Sequence, residues 1–120
     1  MTIKRFEELE CWKSARALVI LIYKTTSSAK MNKDWDMIRQ IRRASVSVMN
    51  NIAEGFGRYH RNDFKRFHDI SQSSAVEIKS MIYILQDLDY LDKQEIYVLH
   101  NQPDKTRNQI LGLIKYLDKN

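Results

Sequence analysis

Residues 38–57 read IRQIRRASVSVMNNIAEGFG, and the placing of Ile38, Ile41, Ser45, Val48 and Ile52 within them decides the fold. These positions recur at steps of three, four, three and four. On an α-helix they share one stripe that faces a core, whereas on a strand they would scatter over both faces. The spacing predicts a helix from about Asp34 to Glu54, with Gly55 behind it as a left-handed C-terminal cap and Gly57 keeping the next connection pliable. Arg39 and Arg43 fall opposite the seam and Arg42 at its flank, so three guanidiniums belong to the outer surface.

The same period extends in both directions. Upstream, Leu9, Trp12, Ala15, Val19 and Ile22 predict a first helix from about Phe6 to Thr26. Leu18, Ile20 and Leu21 point elsewhere on it, an all-round apolar character expected of a helix buried on more than one side, and these three are read as an oligomer interface. Downstream, Asn62 and Asp63 suit the start of a third helix, placed from about Asp63 to Asp89. Its expected seam is Phe67, Ile70, Ser74, Ile78, Met81, Leu85 and Leu88, with Ser71, Ser73 and Ser74 forming a narrow waist. Ile96, Leu99, Pro103, Thr106, Ile110, Leu113 and Leu117 then predict one bent helix from Asp92 to Asp118, with a kink or short break near His100 to Pro103. Four helices with short connections imply an all-α, up-down-up-down antiparallel four-helix bundle, with residues 1–120 as a single domain.

Composition agrees with that reading. The 120 residues are enough for one hydrophobic core. Three glycines and one proline are too few for the reversals of a β sandwich or barrel. Cys11 is the only cysteine, which excludes an intrachain disulfide or a CxxC pair and suits a reducing, cytoplasmic compartment. The longest apolar run, Ala17 to Tyr23, is far short of the roughly 20 residues of a membrane span, so no membrane partner is expected.

Charge carries the clearest functional signal. Between Asp36 and His68, Arg39, Arg42, Arg43, Arg58, Arg61, Lys65 and Arg66 face only Asp36, Glu54 and Asp63, so this window supplies +4 of the net +5. With Tyr59 and His60 beside them as rings for base stacking, these cations suit phosphate backbones and unpaired bases. The plainer alternative is a solvated basic face, or arginines paired with acids of a neighbouring subunit. Glu54 is read as a structural charge partner for arginines around the turn after helix two, with a catalytic role beside His60 or His68 as the lesser alternative. His60, His68 and His100 show no metal-ligand spacing, and no cofactor loop or nucleophile turn is present, so no metal, cofactor or enzymatic activity is expected. Cys11 is read as a small buried hydrophobe or an idle surface thiol, and Trp12 and Trp35 as packing residues near helix starts.

The segments FEELECWKSARALVILIY (6–23), QIRRASVSVMNNIAEGFGR (40–58), FKRFHDI (64–70) and ILGLIKYL (110–117) resemble the small four-helix bundle proteins encoded in intervening sequences of bacterial 23S ribosomal RNA genes. The most specific portion is Asn51-Ile52-Ala53-Glu54-Gly55, and Ser74 and Glu77 also match. Met49 stands where many members have proline, and Ser71 and Ser73 stand where they have alanine and glycine. The resemblance implies a ring-like homopentamer. A more distant similarity, to the accessory variability determinant of diversity-generating retroelements, gives the rival expectation of a module docking on a nucleic-acid enzyme such as a reverse transcriptase. The leading expectation is a non-enzymatic homopentamer that binds RNA or another nucleic acid through Arg39, Arg42, Arg43, Arg58, Tyr59, Arg61, Lys65 and Arg66; a small ribonuclease is a minor alternative.

Overall fold

A computed structural model describes residues 3–58 and 61–118, with the backbone alone at Arg61. A 3₁₀ turn, Phe6–Glu8, precedes four helices: α1 Glu10–Thr26, α2 Trp35–Phe56, α3 Arg61–Asp87 and α4 Lys93–Asp118. No strand occurs among the described residues. Each helix packs against its neighbours in sequence, and α4 closes against α1, within an envelope of 46 × 23 × 20 Å.

Local chemistry sets the boundaries. The first helix starts at Glu10, later than the periodicity suggests, because the chain is extended at Leu9 (ψ 129°), whose side chain drops into the core. Asp34 caps α2, its Oδ1 accepting from the amide of Met37 at 3.4 Å while its Oδ2 accepts from the Tyr90 hydroxyl at 2.8 Å. Asp92 and Glu95 cap α4 reciprocally, each carboxylate accepting from the other's backbone amide at 2.8 and 3.0 Å. Behind α3, Asp89 adopts a left-handed conformation (φ 59°) and the Tyr90 amide reaches back to the Leu85 carbonyl, closing the helix in the manner usually reserved for glycine.

Gly55 does not cap α2. The helix runs on to Phe56 and ends at Gly57 in a right-handed conformation. Gly55 is instead a contact point: a Cβ there would stand 3.0 Å from the Phe67 Cβ and 3.3 Å from the Phe64 carbonyl oxygen of α3. Pro103 does not interrupt α4, which is one continuous helix. Proline leaves the Leu99 carbonyl without its usual donor. The ammonium of Lys79 on α3 reinforces this region, donating to the neighbouring His100 carbonyl at 3.1 Å and to Asp104 at 2.5 Å.

The seams are rotated from their expected phase where polar groups enter the core. On α1 the buried residues are Cys11, Ser14, Ala15, Leu18, Ile22, Thr25 and Thr26. Ser14 belongs inside because its hydroxyl meets that of Thr106 at 2.7 Å, while Gln102 donates to the Ser14 carbonyl at 3.0 Å. Leu18 is therefore core and cannot face another subunit; Leu21 packs partly against the core, and Ile20 alone of the expected interface trio is exposed. On α3 the buried face is His68, Ser71, Ser74, Ala75, Ile78, Ile82 and Leu85, leaving Ile70 and Leu88 outside. Ser71 donates to the Val48 carbonyl at 2.6 Å and Ser74 meets Ser47 at 2.9 Å, so the serine waist is a hydrogen-bonded seam between α2 and α3. Trp12 packs edge-on against Phe6, but Trp35 is 68% exposed and is not a packing residue.

Candidate nucleic-acid interface

The cations of the basic window divide into two clusters. Arg39, Arg42 and Arg43 lie in the first half of α2, and Arg58, Lys65 and Arg66 lie around the α2–α3 junction. Arg39 and Arg58 are separated by about 28 Å at 1.5 Å per residue along the helix axis. Tyr59 and His60 lie outside the described residues, as does the side chain of Arg61.

Within the first cluster Arg42 is committed elsewhere. Its Nε donates to Thr26 Oγ1 at 2.8 Å, its Nη2 to Ser27 Oγ at 3.2 Å and to the Tyr23 carbonyl at 3.5 Å, and its guanidinium lies 4.5 Å over the Tyr23 ring. It thereby serves the carbonyl end of α1, where a cation is favoured, and leaves few donors for a ligand. Arg39 is exposed and paired with Asp36 at 3.0 Å. Arg43 is exposed without an ion pair among the described residues, at the edge of a groove of about 500 Å³ between α2 and α3. Glu77 and Gln40 also line this groove, and its floor holds the Ser47–Ser74 contact, to which Asn51 adds hydrogen bonds to the Ser47 carbonyl at 2.9 Å and hydroxyl at 3.1 Å. Asn51 thus serves the α2–α3 seam.

The second cluster is organised by Phe67. The Arg58 guanidinium stands 4.8 Å and that of Arg66 5.2 Å from the centre of its ring. Glu54 accepts from Arg58 at 2.5 Å, one helical turn away, and Lys65 faces Asp118 at 3.6 Å. Glu54 is thus a charge partner for one arginine, in solvent: the two side chains retain 55% and 43% exposure. The sequence reading missed Phe67 as a platform and Asp118 as a partner. Asp36/Arg39 and Glu54/Arg58 were visible as helical pairs at spacings of three and four, whereas Asp118 is distant in sequence.

Two titratable groups, His68 and Cys11, are buried in the core. His68 is fully buried, its ring at 4.1 Å from that of Phe64, and neither ring nitrogen has a hydrogen-bond partner in the protein. Burial alone pushes its pKa down to about 4, so the imidazole is neutral at physiological pH and does not engage Glu54. Burial likewise raises the Cys11 thiol to about 11 and keeps it protonated. Among the described residues, no three His, Cys, Asp or Glu side chains converge on a possible metal position, and no helix is long and apolar enough to cross a membrane.

Comparison with known proteins adds the family. Residues 7–112 match the family model described as 23S rRNA-intervening sequence protein. A crystal structure of a protein of unknown function from the S23 ribosomal protein family of Bacteroides thetaiotaomicron superposes with a TM-score of 0.80 and 21% identity, covering 88% of this chain and 98% of its own. At that identity the likeness establishes the fold. No curated protein matches.

Proposed function

The chain belongs to the 23S rRNA-intervening sequence protein family, and we propose that it is a non-enzymatic up-down-up-down bundle that assembles with copies of itself and binds RNA or another nucleic acid through its basic ends. The observation behind this reading is the division of the surface. Exposed apolar side chains lie on α1 (Ile20, Tyr23), α3 (Ile70, Val76, Tyr83, Ile84) and α4 (Tyr97, Val98, Leu111, Tyr116), while α2 exposes Trp35 and otherwise presents Arg39, Arg43 and polar residues. Exposed apolar side chains on three of the four helices favour association, so self-assembly draws on α1, α3 and α4 and leaves the cationic side of α2 outward. The short connections and the closure of α4 on α1 support an alternation of helix direction.

Repetition then matters more than any single contact. One exposed arginine binds phosphate weakly, but copies of Arg43, Arg58 and Arg66 carried on one assembly act together. The homopentamer of the resemblance is the proposed copy number. Light scattering tests the first half: a mass of one 14.3 kDa chain at micromolar concentration refutes assembly. Anisotropy titration with RNA at several salt concentrations tests the second. The expected result is sequence-tolerant binding that weakens steeply between about 50 and 200 mM salt; no binding at the lower salt refutes the nucleic-acid reading in favour of docking on another protein.

A further inference from the structure

Resting on that nucleic-acid reading, we propose that Arg58 and Arg66 form a two-point seat for backbone phosphates of single-stranded RNA, and that Glu54 is the anion occupying Arg58 until RNA displaces it. Both guanidiniums lie over one Phe67 ring, at 4.8 and 5.2 Å from its centre, so they stand no more than about 10 Å apart although eight residues and an inter-helix connection separate them. Phe67 is a firm base for the pair. Its Cβ lies 3.0 Å from where a Gly55 Cβ would stand, at a close approach of α2 to α3.

Stacking occupies the face of a guanidinium and leaves its N–H edges for bidentate contact with anions. No protein acceptor takes those edges on Arg66 among the described residues. Arg58 gives one of them to Glu54, in a pair open to solvent on both sides. Such a pair is weak and is exchanged readily for a phosphate oxygen. A flexible single strand brings its phosphates to the spacing the protein dictates, which a rigid duplex does not, and nothing here is shaped to enter a groove. Glu54 therefore acts as a built-in competitor that lowers the affinity of the resting protein for polyanions.

The test is an anisotropy titration of the full chain with a labelled single-stranded oligoribonucleotide at one fixed salt concentration. Glu54→Gln is compared with Asp87→Asn, which removes the same charge from an exposed position at the far end of α3, and both substitutions are repeated in an Arg58→Ala background. The expected result is tightening by about two- to fivefold per engaged subunit for Glu54→Gln only, and loss of that gain when Arg58 is absent. If Glu54→Gln binds no tighter than Asp87→Asn, or keeps its gain without Arg58, the competitor role is overturned while RNA binding stands. If no variant binds, the nucleic-acid reading itself fails.

Discussion

Acidification acts on this protein through His68, and the effect can be worked out from its surroundings. The imidazole is 0% exposed, lies against Phe64, approaches Gly55 and has no hydrogen-bond partner for either nitrogen. Its pKa is about 4 in the folded chain against about 6.5 in an unfolded one. The folded value is the lower, so the unfolded chain binds the proton first. Stability from this site is complete above about pH 6.5 and is lost as pH falls towards 4. Over that interval the loss is about 3 kcal/mol, a large share of the roughly 5 to 15 kcal/mol that holds a typical domain folded. Replacing the ring by a similarly sized apolar side chain, His68→Leu, removes both the proton and the orphaned nitrogens. The variant should be more stable than the parent at pH 7 by about 1 to 3 kcal/mol. By pH 4 its advantage should grow by about 3 kcal/mol more. Urea unfolding at both pH values and one protomer concentration provides the comparison, since acid titration of carboxylates affects both proteins alike. An advantage that does not change between pH 7 and pH 4 would refute the reasoning.

Four further substitutions probe the frame and its surface. Asp89→Gly, at the left-handed position behind α3, should raise stability by about 1 kcal/mol in thermal unfolding; a loss would mean that the Asp89 side chain contributes more than its backbone strain costs. Gly55→Ala should lower stability by about 1 to 3 kcal/mol despite alanine's better helix propensity, because the new methyl meets Phe67 and the Phe64 backbone; an unchanged melting temperature would show that α2 and α3 separate freely there. Lys79→Met should lower the urea midpoint by the equivalent of about 1 kcal/mol, since α3 loses its hydrogen bonds to the His100 carbonyl and Asp104 of α4. Glu54→Gln, in contrast, should change stability by no more than about 1 kcal/mol, because its pair is exposed.

Most of the architecture was legible in the sequence because it depends on periodicity, and apolar residues at steps of three and four reveal a helix wherever it packs. The rotation of each helix was less legible where the core admits hydroxyls and an imidazole. Ser14, His68 and Ser71 are polar by type and buried by partnership or enclosure, and their surroundings come from other helices. Leu18 illustrates the consequence: read as outward, it lies inside because Ser14 and Ala15, one turn earlier, define the face. Gly55 misled in a different way, since a glycine near a helix end suggests a cap, and only the neighbouring helix reveals a close approach. At the candidate interface the cations could be counted in advance, but their accessibility could not. Arg42 is spent on the end of α1, whereas Arg43 is open, a difference set by where α1 stops.

The hydroxyl contact between Ser14 and Thr106 joins residues 92 positions apart, and this separation has a consequence during synthesis. At about 5 to 20 residues per second, roughly 5 to 20 s pass between the emergence of one partner and the other. Helix α1 must wait through that interval with the side destined for α4 uncovered, although α2 is available much earlier to shield its other flank. The waiting side carries a serine at the very place where α4 will dock, and a hydroxyl is well served by water in the meantime. The polar latch that fixes how α1 and α4 meet in the finished bundle thus also makes the nascent chain less adhesive before its last helix arrives.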